Sequence, residues 1–277
     1  KKLAALLAEN NRKVRFRAPH CLGYFVDESD DRESRFGLVF EKPASVPSHT
    51  VPTTLRDFIH GIPMPSLTDR ITLMRLLAET VERLHAVDWL HKGLRSANIL
   101  FFVKQGGDVN FSDPYISGFE YSRPATSDDM TERPTDNACA DIYRHPIVQS
   151  TGNREESSAA RESYKKSFDL YSLGIVLLEI AHWKTIEQIM DVDLETARPK
   201  QTWPVMERLV KKEPQHLAFV KSHLGNTVEA VVRTCLEGPE AFGLDGECDE
   251  RRGIVAAALL ERFGEMVVRR LGAMKGL

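Results

Sequence analysis

From Ser167 to Trp183 the chain reads SFDLYSLGIVLLEIAHW, apolar on nearly every side at helical spacing. A helix without a polar face must be enclosed by other elements, so the rest of the chain has to build a body around it. The run from Leu170 to Ala181 is too short to cross a bilayer and carries Glu179. It reads as a central buried helix. With 277 residues, 42% of them hydrophobic, the chain has material for one large domain or two smaller ones.

Other elements follow from periodicity and punctuation. Leu3, Leu6 and Leu7 predict a short opening helix, and FRAPHCLGYFVD and RFGLVFEKP predict two strands flanking the acidic turn ESDDRES. A Pro-rich connector from Pro43 to Pro65 holds a helical candidate, TTLRDFIHG. Ser66 and Asp69 form a capping pair before a long helix with Leu73, Leu77, Val81 and Leu84 on one face. ANILFFV and DPYISGF predict short strands. Residues 121–168 are mostly polar with little periodicity, which predicts a functional loop or a partly disordered one. Beyond the buried helix, NTVEAVVRTCL and GIVAAALLERFGEMVVRRLGAM predict amphipathic helices, the two arginines of the latter on a solvated face. The predicted class is α+β, a small α/β piece before a mainly helical body.

A formal net charge of −3 gives no global attraction to nucleic acid or anionic membrane, so protein partners are expected. Cys21, Cys139, Cys235 and Cys248 are scattered without C-x-x-C pairs, which predicts reduced thiols, a cytoplasmic protein and no metal site. The spacing of His85, His182, His216 and His223 likewise predicts core or surface histidines.

HKGLRSANIL carries the chemistry. In order along the chain, FGLVFEKP, HKGLRSANIL, YISGFEYSR, IYRHPIV and SFDLYSLGIVLLEI resemble the hinge, catalytic loop, metal-binding turn, end of the activation segment and following helix of the protein kinase superfamily. The resemblance runs from Lys1 to about Cys235 and implies a protein-kinase-like fold: an N-lobe remnant over 1–43 lacking its first strands, and a helical C-lobe over 44–277 with the activation-segment region at 118–168. The helical start favours strands lying upstream, with Glu9 as a weak match to the glutamate of that helix. No glycine-rich loop precedes the hinge, and none of Lys1, Lys2, Lys13 and Lys42 lies in a matching strand.

Carried over residue by residue, the resemblance makes His91 the loop histidine, Lys92 the replacement of arginine, and Gly93 the replacement of the proton-accepting aspartate. Arg95 stands for the lysine that contacts the transferred phosphate, and Asn98 keeps the metal-binding amide. Gly118 replaces the principal metal ligand, followed by Phe119 and Glu120. Pro146 is kept, while Ile147 replaces a glutamate that forms a buried ion pair. Phe40, Glu41 and Lys42 correspond to the gatekeeper and adenine-contacting hinge. General-base help is worth ~100- to 10,000-fold, so losing it together with the metal ligand implies little transfer.

The expectation is therefore a catalytically impaired kinase-like domain, a signalling or scaffold module with no certain cofactor, in which the hinge accepts ATP, if at all, without Mg2+. The alternative is a weakly active or atypical Ser/Thr kinase, with Glu120 or Asp113 standing in as metal ligand; a small-molecule phosphotransferase of the aminoglycoside-kinase type ranks behind both. His91 and Asp169 are expected to tie the loop to the helical core whether or not catalysis survives. Ser122, Thr126, Ser127, Thr131 and Thr135 could accept phosphate, although a plain flexible loop is the preferred reading. The hinge, the IYRHP segment and the C-terminal helices are also similar to fungal kinase-like domains found behind HeLo-type prion-inhibition domains, which implies a role in cell-death or non-self signalling.

Overall fold

A computed structural model describes residues 2–8, 16–27, 35–43, 46–47, 49–103, 108–125, 138–149, 164–194 and 205–274. Glu9, Lys1, Lys13, Thr126, Ser127, Thr131 and Thr135 lie outside the described residues.

Helix α1 (Lys2–Ala8) packs on strand β1 (His20–Asp27), which pairs antiparallel with β2 (Arg35–Glu41). The pairing slips between Cys21 and Gly23, placing a bulge at Leu22. Both predicted strands are therefore present as a hairpin. Leu7, Phe16, Ala18 and Cys21 join the same hydrophobic cluster as the helices that follow.

Short β3 (Thr53–Thr54) leads into α2 (Leu55–Gly61), where Thr54 and Asp57 cap each other reciprocally: the Asp57 amide donates to Thr54 Oγ1 (3.0 Å) and the Thr54 amide to Asp57 Oδ2 (3.0 Å). Helix α3 (Leu67–Ala86) starts at Ser66, whose Oγ accepts from the Asp69 amide at 3.1 Å. Its predicted inward positions, Leu73, Leu77, Val81 and Leu84, are all buried. Two-residue β4 (Trp89–Leu90) precedes the HKGLRSAN loop, after which β5 (Ile99–Phe101) and β6 (Tyr115–Ile116) form a small antiparallel sheet in the order β3-β5-β6. Strand β7 (Arg123–Pro124) pairs back to β4. The loop is thus held at both ends by strand pairs.

Helix α4 (Ala138–Asp141) and a 3-10 turn at Pro146–Val148 precede α5 (Lys166–His182), which holds the apolar run SFDLYSLGIVLLEIAH. Every residue of α5 from Lys166 to Ala181 is buried. Its cover comes from α3 and from the helical run α8 (Gln215–Glu237), reached through α6 (Ile186–Met190) and α7 (Val205–Glu207). Gly174 makes the close approach possible: a Cβ there would stand 3.0 Å from Cys235 Cβ and 3.1 Å from Leu236 Cδ2.

Two departures from the predicted helices trace to glycines. Gly225, at φ 89° and ψ 171°, breaks α8, so NTVEAVVRTCL is the second of two helices. The predicted C-terminal helix divides into α9 (Gly253–Phe263), a wide π turn at Gly264–Val268 and α10 (Arg269–Ala273). Gly264 abuts the Glu82 carboxylate of α3, which a side chain at that position would displace. Arg269 faces solvent and pairs with Glu265 at 3.0 Å, while Val267 and Leu271 are buried beneath, as the solvated-face reading requires. The architecture is mixed helix and sheet, with a hairpin and small strand pairs set against a helical body. No helix among the described residues is long and apolar enough to cross a membrane.

Candidate functional site

Asp169, in the first turn of α5, is fully buried and anchors the HKGLRSAN loop. Its Oδ2 accepts from the His91 amide (2.8 Å) and from His85 Nε2 (3.2 Å). Its Oδ1 accepts from the Lys92 amide (2.8 Å) and the Tyr164 hydroxyl (3.0 Å). Burial alone would push this carboxyl up; the hydrogen bond and charge of His85, the charge of His91 and the Lys92 amide outweigh it and hold the group below its ordinary value. Both loop amides reach one carboxylate because Lys92 adopts the left-handed region at φ 65°.

The tie between loop and core thus runs through backbone amides and His85, and the His91 ring has a different task. It packs on Phe119 at 4.7 Å between centroids, and its Nδ1 accepts from the Gly93 amide at 3.2 Å. Burial lowers its pKa, opposed by the charges of Asp169 and Glu120. The Ser122 hydroxyl donates to the His91 carbonyl (2.8 Å), drawing the chain after β6 onto the loop.

Gly93, Asn98 and Gly118 close on one another. The Asn98 amide nitrogen donates to the Gly93 carbonyl at 2.7 Å, while the Asn98 carbonyl accepts from the Ser117 amide at 2.8 Å and the Ser117 hydroxyl at 3.1 Å. Gly118 has φ 83°, and a Cβ built on it would overlap the Asn98 side chain. A Cβ on Gly93 would lie 2.9 Å from the Gly118 carbonyl oxygen. Any side chain at either glycine therefore meets filled space. Asn98 is engaged with backbone here.

Beside this knot lies a cavity of about 80 Å3 whose lining includes Lys92, Gly93, Arg95, Glu120, Tyr121 and Arg144. Phe40, Glu41 and Lys42 do not line it; Phe40 is half-buried against the core, and Glu41 and Lys42 are exposed at the end of β2. Asp113 is also absent from the lining, whereas Glu120 reaches it from an exposed position. Among the described residues, no group of three or more His, Cys, Asp and Glu side chains is placed to hold a metal ion. Ile147 is about half exposed, and nearby Arg144 donates to Asp141 Oδ1 at 2.6 Å.

Sequence reading missed one buried relay. The Tyr143 hydroxyl donates to Glu179 Oε1 at 2.6 Å and lies 2.9 Å from Ser96 Oγ, and the Ile186 amide donates to the same carboxylate oxygen at 2.8 Å. Glu179 Oε2 is buried with no hydrogen-bond partner among the described residues. Burial pushes this carboxyl up to about 7. A lone glutamate inside an apolar helix was the available signal, and it served only to argue against a membrane span.

His216, Phe219 and His223 fall at i, i+3 and i+7 along α8, and His182 of α5 meets them there: the His182 and His223 rings stack on Phe219 at 4.3 and 3.9 Å, and His182 Nε2 donates to the His216 carbonyl at 3.0 Å. No protein-family model matches the chain, and no curated protein matches it.

Proposed function

We propose that this chain is a protein-kinase-like domain that has lost phosphotransfer and acts as a cytoplasmic binding or scaffold module for protein partners. The observation that carries this reading is the closed knot of Gly93, Asn98 and Gly118. Phosphoryl transfer needs a carboxylate to accept the hydroxyl proton and another to hold Mg2+ against the phosphates. Here neither position has room for a carboxylate, and the amide between them is spent on the Gly93 carbonyl. The ordered motifs support the family assignment, and the Asp169 anchor supplies a reason for the loop to persist without catalysis. Such an anchor holds a fixed surface for recognition at no cost in rate.

Thermal unfolding with ATP, in Mg2+ and in EDTA, tests the reading alongside a phosphotransfer assay. The expected result is no transfer and a midpoint that is the same in Mg2+ as in EDTA. A midpoint raised by Mg2+-ATP and returned by chelation, together with transfer to a protein hydroxyl, overturns it.

A further inference from the structure

The cavity beside the glycine knot has the wrong charge for a metal-nucleotide site and the right charge for something else. Arg95 is half-buried on its wall and makes no hydrogen bond or ion pair with any described residue. Arg144 is 7% exposed and uses one guanidinium nitrogen on Asp141, with the Tyr121 ring 5.9 Å away; its remaining donors have no partner among the described residues. Lys92 adds a third cation, its ammonium 5.4 Å from the centre of the Tyr164 ring. Against these stand Glu120, exposed at the rim, and Asp141, already paired with Arg144. Glu179, behind Tyr143, is only about half ionised at neutrality because burial pushes it up to about 7. The lining is therefore net cationic. Glycine at 93, on the lining, contributes to that balance by placing no carboxylate there.

Two guanidinium groups with unused donors, one of them more than nine-tenths buried, facing a cavity of about 80 Å3, match a tetrahedral oxyanion with several acceptor oxygens. We infer that the pocket holds a phosphate monoester carried on a serine or threonine of a protein partner, bound without nucleotide or metal. The inference rests on the loss of phosphotransfer proposed above, because Mg2+-ATP in productive use would place its own phosphates at this edge. Arg95 supplies the fork that engages the ester, and Arg144, held by Asp141, supplies the fixed wall.

Calorimetric titration of the whole chain with N-acetyl-phosphoserine amide, at constant ionic strength and in EDTA, is the test. Saturable binding is expected, weakened roughly tenfold or more in Arg95→Ala, weakened less in Arg95→Lys, which keeps charge but not the fork, and unchanged in the distant Arg262→Ala. Equal binding by Arg95→Ala and the parent chain overturns the site. Equal heats from chloride at matched ionic strength overturn it also, as does tight uptake of inorganic phosphate with the ester excluded. A parallel arm with Mg2+-ATP and a protein acceptor keeps the two readings apart. Transfer there defeats the loss of phosphotransfer, whereas absent transfer with absent ester binding defeats this inference alone.

Discussion

Asp169 concentrates more consequence than any other side chain, since four donors from three parts of the chain converge on its two oxygens. Asp169→Ala leaves two buried amides, a histidine and the Tyr164 hydroxyl without that acceptor. A loss of about 3–5 kcal/mol in urea unfolding is expected, the usual cost of breaking a buried charged network. Its depressed pKa gives stability that is present above the unfolded-state value near 3.9 and lost as pH falls through the lower folded-state value. Glu179 works in the opposite direction. Its carboxyl is raised from 4.5 to about 7, so between those values the folded state holds a proton that the unfolded chain has released. Stability then falls as pH rises across that window, by about 3 kcal/mol from this one group. In Glu179→Gln the loss of stability between pH 5 and pH 7 should be smaller than in the parent by about 2 kcal/mol, read as paired urea curves. An unchanged slope would show that the buried carboxyl is not what titrates. At the glycines, Gly118→Asp should not create metal binding; overlap with Asn98 and a left-handed backbone should together cost about 2–4 kcal/mol, seen as a lowered unfolding midpoint with no Mg2+ response.

Among the elements, α5 sets the terms for its neighbours. Burial on all sides means that any helix laid against it must come close, and Gly174 is where α8 does so. Gly225 offers a cleaner test of backbone alone, because a Cβ there meets nothing within 4 Å. With contacts removed from the question, Gly225→Ala should still cost about 1–3 kcal/mol, since φ 89° with ψ 171° belongs to glycine. A neutral result in chemical denaturation would mean that the break in α8 relaxes to a continuous helix. Periodicity disclosed α3 with its inward face, the all-round burial of α5 and the second half of α8, whereas the first half, Gln215 to Leu224, was not read from the sequence. The break at Gly225 and the π turn at Gly264 stayed hidden, because a single glycine in an amphipathic run fits a continuous helix as readily as a break, and only the folded backbone decides which.

Across the whole molecule, burial is uneven. Leu22, Tyr24, Phe25, Val26 and Val39 leave much apolar surface exposed on the β1–β2 hairpin, whereas α5 is enclosed. Hydrogen exchange should therefore report hairpin amides opening well before those of α5, whose protection should approach the global value. Comparable protection in the two would mean that the hairpin is as firmly packed as the core. The same unevenness separates what could be read in the chain from what could not. Element type, the cap at Ser66 and the need to bury SFDLYSLGIVLLEIAHW follow from local spacing and local hydrogen bonding, so the sequence by itself determined them. The Asp169 anchor was legible through the resemblance, although its route through the His91 and Lys92 amides was not. Only the tertiary structure decided the rest: that Asn98 closes over Gly93 and Gly118, that Tyr143 meets Glu179, and that Arg95 and Arg144 share one cavity. Those pairs lie between 5 and 49 positions apart, with no period to announce them. Their meeting depends on how fully buried α5 draws the loop and the segment before it onto one surface.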